Sequence, residues 1–313
     1  MRRPTLALAV AASALVGLTA CGGGGDPLST SSTSAQSSSS GGTSGGSGAS
    51  SIIVGSANFS ESALLGEIYA GALGAKGVNV STKLNIGSRE IYMKALEDGS
   101  IDLVPEYTGA LAFYYDKNVS ETDPQKVYDA VAGLIPDSLQ LLAKSAAEDN
   151  DSITVTKETA DKFSLKTIED VKAHMGEMTL GAPAEFKARP QGIPGLEKTY
   201  GITFKSFRPL EGQQLLQALL NGQVDAANVF TTDPNIAANG LVTLEDTKRL
   251  FGSQNVVPVI NKSKNTPEIT AALDAVSAKL TTATLADLLK KTDIDKQDAA
   301  TVAKQFLSDN GLG

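Results

Sequence analysis

A chain of 313 residues is long enough for two modest domains with real cores and too long for one small module. A single cysteine, Cys21, and a single histidine, His174, exclude a disulfide scaffold and any metal centre built on sulfur and nitrogen. The 35 acidic against 27 basic side chains give a formal net charge of −8 with no Lys/Arg-rich run, which speaks against nucleic acid as a partner, and without Trp an aromatic pocket must come from seven Tyr and nine Phe.

Residues 1–20 place Arg2 and Arg3 before an apolar run from Leu6 to Leu18, too short for a membrane span and shaped like a secretory signal. The segment Leu18-Thr19-Ala20-Cys21 resembles the lipobox of bacterial lipoproteins, which implies that Cys21 is acylated and becomes the new N-terminus. From Gly22 to Ser50, 20 of 29 residues are Gly or Ser, so residues 21–50 read as a lipidated Cys followed by a disordered tether. A flexible coil of that length reaches about 30 Å.

From Ser51 the pattern alternates between strand and helix. Ile52-Ile53-Val54 predicts a strand, and Leu64, Leu65, Ile68, Ala72 and Leu73 predict a helix, with Asn58 and Glu61 spaced as a capping box. Val78–Leu84 predicts a second strand, Ser88–Asp98 a helix closed by Gly99, and Ile101–Val104 a third strand. A helical stretch follows near Asp123–Ile135. Further segments are predicted at Ile153–Thr156, Met178–Leu180, Phe204–Leu210, Leu215–Leu220, Val224–Val229 and Leu241–Leu244. The chain closes in helices, with Pro267 in a first turn and Ile269, Leu273, Val276 and Leu280 on one face.

An internal echo stands out. Ala95-Leu96-Glu97-Asp98-Gly99-Ser100-Ile101-Asp102 and Ala218-Leu219-Leu220-Asn221-Gly222-Gln223-Val224-Asp225 share one form at a distance of 123 positions. Each reads as a helix end, a Gly cap and a strand start. Five residues beyond each Asp comes an aromatic followed by a threonine, Tyr107-Thr108 and Phe230-Thr231. Ligands of open parallel sheets sit at the carboxyl ends of the strands, so two such units facing each other would put Tyr107 and Phe230 on opposite walls of one cleft. Buried core aromatics are the alternative reading of the same pattern.

Catalytic signatures do not emerge. The chain has no phosphate loop, no His-Glu-x-x-His and no Gly-x-Gly-x-x-Gly after a strand. His174 reads as a solvated side chain at a polar helix end, and the pairs Asp149/Asp151 and Glu245/Asp246 read as solvated loop charges. The expectation is therefore no catalysis, no cofactor and no metal.

Phe59-Ser60-Glu61-Ser62, Gly87-Ser88-Arg89-Glu90, Pro105-Glu106-Tyr107-Thr108-Gly109, the run Ala182-Pro183-Ala184-Glu185-Phe186-Lys187-Ala188-Arg189-Pro190 and Phe230-Thr231-Thr232-Asp233 together resemble the solute-binding proteins of osmoprotectant ABC importers, the ProX-like glycine betaine/choline type. The resemblance spans about residues 51–312. It implies an α/β type II periplasmic-binding-protein fold, two doubly wound lobes joined by two hinge strands, that closes on a solute and presents it to a membrane permease and its ATPase. Lobe 1 would hold residues 51–152 plus 256–313 and lobe 2 residues 153–255. The protein would act as a monomer, held outside the cytoplasm at the membrane by lipid on Cys21.

In relatives that bind quaternary ammonium compounds, aromatic faces hold the cation. Matched by motif, Tyr107 retains a box position, Phe230 replaces a Tyr, and Asp151 and Gln254 stand where rings are usual. The incomplete box leaves two ligand readings open: a betaine or choline, or a polyol, sugar-like or phenolic compound. Arg189 either faces a ligand acid group or is a surface charge. Ser60, Glu61, Ser88 and Thr231 lie at helix starts or strand ends that would aim backbone N–H groups into the cleft; Ser60, Ser88 and Thr231, with Glu106 and Thr108 beside Tyr107, complete the expected binding set. A secreted hydrolase and a cell-wall scaffold are the rival classes.

Overall fold

The structure, a computed structural model, describes residues 51–313; the leader, Cys21 and the Gly/Ser tether lie outside the described residues. In chain order the first part runs β1 (Ile52–Gly55), α1 (Ser60–Gly74), β2 (Val80–Lys83), α2 (Arg89–Glu97), β3 (Leu103–Tyr107), α3 (Thr108–Tyr115), α4 (Pro124–Leu134) and β4 (Leu139–Leu141). The chain then crosses to β5 (Asp151–Val155), α5 (Lys157–Phe163), β6 (Thr179–Ala182), a one-turn α6 (Ile193–Gly195), β7 (Ser206–Pro209), α7 (Gly212–Leu220), β8 (Ala226–Phe230), α8 (Asn235–Ala238) and β9 (Val242–Thr243). It returns through β10 (Val256–Asn261) and ends in α9 (Pro267–Ser277), α10 (Thr282–Leu289) and α11 (Ala299–Asp309).

Two five-stranded sheets result, ordered β2-β1-β3-β10-β4 and β7-β6-β8-β5-β9. In the first, β1 is parallel to β2 and β3 while β10 runs antiparallel to β3 and β4; in the second, β6 is parallel to β7 and β8 while β5 runs antiparallel to β8 and β9. Each sheet thus receives one strand, β10 or β5, from a segment that has just crossed from the other. The two crossovers run side by side: Glu148 and Asn255 form an antiparallel bridge, and Asp149 N–H donates to Gln254 O at 3.1 Å.

The echoed octapeptides do the same work in both sheets. Gly99 and Gly222 end α2 and α7 at φ +80° and +66°, a left-handed turn that glycine adopts without steric cost. Asp102 then accepts the Ile53 N–H at 2.9 Å, and Asp225 accepts the Thr179 N–H at 2.8 Å, tying each junction to the neighbouring strand.

The first core packs α1 against α9 and α11 through Leu64, Leu65, Ile68 and Leu73 on one side and Leu273, Val302, Phe306 and Leu307 on the other, all buried. A second core, around Ile153, Val155, Leu180, Phe186, Leu196 and Phe251, fills the other lobe. Thr266 accepts the Ile269 N–H ahead of Pro267, and Asp123 caps α4 ahead of Pro124, so Pro stands at the first helical position where its missing N–H costs nothing.

Three local expectations are corrected. The Asn58/Glu61 capping box does not form: α1 starts at Ser60 without a side-chain cap, because Glu61 is drawn into the protein and Asn58 donates instead to Glu211 at 3.3 Å. The third strand begins two residues late, at Leu103, since Asp102 belongs to the junction. The strand expected from Val224 begins at Ala226, because Gln223 and Val224 still bond to the Ala218 carbonyl at the helix end. Among the described residues, no helix is long and apolar enough to cross a membrane.

Candidate functional site

The carboxyl ends of β3 and β8 and the two crossovers surround a cavity of about 450 Å³, well within the usual range for small-molecule sites. Tyr107 ends β3 and Phe230 ends β8, and both line it. Between them lies Phe59, from the loop after β1: its ring centroid is 6.0 Å from that of Tyr107 and 5.2 Å from that of Phe230. The two rings expected to face each other are thus joined by a third. The sequence carried Phe59 only as part of a motif, and its role was hidden because it sits beside a helix start where caps are expected. Tyr92 and Phe186 add further aromatic wall.

Behind Tyr107 a buried ion pair fixes the first-lobe wall. Arg89 Nε and Nη2 donate to Glu106 Oε1 and Oε2 at 2.8 and 3.1 Å, Tyr92 OH donates to the same carboxylate, and the Tyr107 N–H donates to Oε2 at 2.8 Å. Glu106 is fully buried and Arg89 is 8% exposed. Glu106 therefore acts behind the wall, and Arg89, which reaches the cavity, is the unexpected member. Burial opposes the charge on Arg89, but Glu106 beside it holds the proton more firmly than usual.

At the base of the cleft two carboxylates approach each other. Tyr107 OH donates to Glu61 Oε1 at 2.6 Å, and Thr232 Oγ1 lies 2.5 Å from Glu61 Oε2 and 2.8 Å from Asp149 Oδ1, which also accepts the Thr232 N–H. Burial pushes Glu61 up to about 7 against the hydrogen bonds from Thr232 and Tyr107, and burial with the neighbouring Glu61 pushes Asp149 up too. Asp149 is thus no solvated loop charge, contrary to expectation. The other expected solvated pair is also corrected at Asp246, which accepts Tyr200 OH and the Leu250 and Phe251 N–H groups.

The remaining expected residues divide. Asp151 lines the cavity, partly buried, and accepts Asn228 Nδ2 at 3.0 Å; burial raises its pKa, against Asn228, Arg189 and Arg89. Gln254 is buried in the wall with its amide engaged, Oε1 accepting the Ala110 N–H and Nε2 donating to Phe251 O. Arg189 bridges the lobes at the rim, its Nε and Nη2 each 3.3 Å from the Glu90 carboxylate and Nη2 3.6 Å from Glu185. Ser88 donates to Glu90 at 2.6 Å; burial pushes Glu90 up, but Ser88 and Arg189 outweigh it and hold the carboxyl at about 2. Ser60 lies at the rim and donates to Asp293 at 2.7 Å.

Thr108 and Thr231 do not line this cavity. Each clamps a crossover: Thr108 N–H donates to Asn255 O while Thr108 Oγ1 accepts the Asn255 N–H at 3.1 Å, and Thr231 does the same with Asn150, its Oγ1 accepting at 2.9 Å. The threonine that faces the cleft is the next one, Thr232, a position the echo could not single out. His174 packs on Phe163, 4.5 Å between ring centroids, away from the cleft. Among the described residues no group of three His, Cys, Asp or Glu side chains is arranged to hold a metal.

Two doubly wound sheets exchanging one strand each, with a ring-lined cavity between paired crossovers, define a type II periplasmic binding protein. Residues 50–309 match the family described as the substrate binding domain of ABC-type glycine betaine transport systems, and the chain belongs to that family. It is 30% identical over 281 residues to the glycine betaine-binding protein YehZ of Escherichia coli (strain K12), covering 82% of this chain and 90% of that one. It is 28% identical over 267 residues to the ergothioneine transport permease/ergothioneine binding protein EgtU of Helicobacter pylori (strain G27), covering 83% of this chain and 48% of that longer one. The fold matches the crystal structure of a glycine betaine/carnitine/choline ABC transporter with a TM-score of 0.67 at 24% identity, over 83% of this chain and 99% of that one. Family membership makes the chain the extracytoplasmic, substrate-binding component of a transport system.

Proposed function

We propose that the cleft captures a small trimethylammonium osmoprotectant, glycine betaine, choline or a related betaine, and that closure presents it to an ABC permease and its ATPase. The observation that carries this is the continuous group of three rings, Tyr107 and Phe59 from one lobe and Phe230 from the other, above the carboxylates Glu61, Asp149 and Asp151. Ring faces hold a cation that has no N–H to donate to a hydrogen bond, at about 0.5–2 kcal/mol per contact. Phe59 supplies a ring where Asp151 and Gln254 do not. Arg89 suits a carboxylate at the ligand's other end: Nε and Nη2 are held by Glu106, and Nη1 has no acceptor among the described residues. The relatives' ligands, glycine betaine and ergothioneine, join a trimethylammonium group to a carboxylate. A polyol would find fewer partners, because the amides of Gln254 and Asn228 already serve the protein.

Asp151 and the rim residues Ser60, Ser88 and Arg189 complete the ligand set in this reading. Arg189 acts by holding the lobes together through Glu90. The protein works as a monomer, with Cys21 acylated and residues 22–50 as its tether, so that the carrier stays near its permease. Calorimetric titration with glycine betaine, choline, carnitine and a polyol panel tests the ligand. Phe230→Ala should weaken the betaine at least tenfold. Silence of every trimethylammonium compound at millimolar concentration, with a polyol binding, sinks the proposal; fatty-acid labelling that persists in Cys21→Ala sinks the anchor.

A further inference from the structure

Glu61 and Asp149 are each 3% exposed and share the hydroxyl of Thr232. That hydroxyl has one hydrogen, yet its oxygen lies within hydrogen-bond distance of both carboxylates. If both acids were ionised, one of the two contacts would set lone pairs against lone pairs in a buried site. The hydrogens balance only when one carboxyl carries its own. Asp149 Oδ1 already accepts the Thr232 N–H and suits the ionised form, while Glu61 Oε1 accepts from Tyr107 and leaves Oε2 to donate. The chain of donation then runs from Tyr107 OH to Glu61, from the Glu61 carboxyl to Thr232 Oγ1, and from Thr232 to Asp149.

The partners come from different parts of the fold: Glu61 from α1 and Tyr107 from β3 in the first lobe, Asp149 from a crossover, and Thr232 from the turn after β8 in the second. The other charged groups around them do not neutralise the pair. Asp293 and Lys296 lie beyond α10, with the Lys296 ammonium on the Asp293 carbonyl; Asp233 follows β8; Asp151 starts β5; and Arg89 pairs with Glu106 through Nε and Nη2. Among the described residues neither Glu61 nor Asp149 has an ion pair.

We propose that one proton, held by Glu61 and relayed through Thr232 to Asp149, fastens the two lobes, so that closing on the solute takes up a proton and capture is favoured on the acid side of neutrality. This rests on the reading of the cavity as a solute cleft and adds its regulation. The direction follows from linkage. Opening returns Glu61 toward water and the ordinary carboxylate range, whereas in the closed form it titrates at about 7. Between those values the closed form binds a proton that the open form lacks, so affinity falls as pH rises and levels off above about 7.

The test is calorimetric titration of the acylated or tag-free mature chain with glycine betaine, whose charge is constant here, from pH 5.5 to 8.5 in buffers of different ionisation heat. The expected result is net proton uptake near pH 6 and affinity that falls about tenfold by pH 7, then changes little, with Glu61→Gln flattening the profile. No proton uptake in wild type, or the same slope in Glu61→Gln, overturns the proposal. If glycine betaine is silent at every pH, the ligand reading fails, and infrared difference spectra taken with the panel compound that does bind decide the proton. A protonated carboxyl band gained on binding near pH 6 and absent in Glu61→Gln supports it; binding without that band overturns it.

Discussion

The two sheets are built to one plan and finished differently. Their strand orders correspond position by position, each with its first three strands parallel, one antiparallel strand from the crossover and an edge strand beyond. The same devices recur at the same places: Gly99 and Gly222 turn the chain, Asp102 and Asp225 hold the adjacent strand, and Thr108 and Thr231 clamp Asn255 and Asn150. The divergence begins at the aromatic. Tyr107 is 6% exposed, its hydroxyl bound to Glu61 and its wall backed by the Arg89–Glu106 pair. Phe230 has no hydroxyl to anchor, is partly exposed, and lies in the second lobe, whose one lobe-bridging arginine, Arg189, sits at the rim. The repeated parts therefore set where the walls stand, and the unrepeated ones set what they can hold: a rigid, polar-backed face opposite a simpler one.

That contrast can be broken or sharpened by matched substitutions, read by chemical denaturation. The largest effect is expected for Glu106→Ala, which leaves Arg89 buried without its counter-charge and should cost about 3–5 kcal/mol. Arg189→Ala at the rim should cost no more than about 1 kcal/mol, since its pair is partly solvated; equal losses would erase the distinction between the lobes. Asp102→Ala and Asp225→Ala come next. Each orphans a strand N–H at a cost of about 1–3 kcal/mol, and the loss should be larger for Asp102, which is 3% exposed and also meets Lys264 at 3.5 Å. Gly99→Ala and Gly222→Ala should give the smallest and most nearly equal losses, about 1 kcal/mol each, because both positions need a left-handed backbone and have open space around them. A large difference between the two glycines would show that the junctions are not equivalent.

Much of this plan was legible in the chain. The echo around Gly99 and Gly222 marked two helix-to-strand junctions, and Tyr107 and Phe230 do reach one cavity. Local patterning identifies such junctions because the Gly turn and the Asp that follows act within a few residues of each other. The cleft's polar chemistry was less legible. Thr108 and Thr231 repeat and were expected at the ligand, but a repeated residue more naturally serves the repeated frame, and both hold the crossovers. Phe59 and Thr232 fell outside the expected set, and Glu61 was expected only for its backbone N–H at a helix start, because their side-chain roles depend on partners far away in sequence, such as the 171 positions between Glu61 and Thr232.

The amino-acid sequence alone determined the alternation of strands and helices, the two Gly-Asp junctions and the aromatic ending each, since these follow from backbone preference and hydrophobic period over short windows. Which carboxylates are buried together, which arginine is tied behind a wall and which spans the rim, and that a third ring joins the other two, were decided by the tertiary structure. Burial and charge pairing depend on which segments the folded chain brings within a few ångströms, and residue spacing along the chain does not contain that distance.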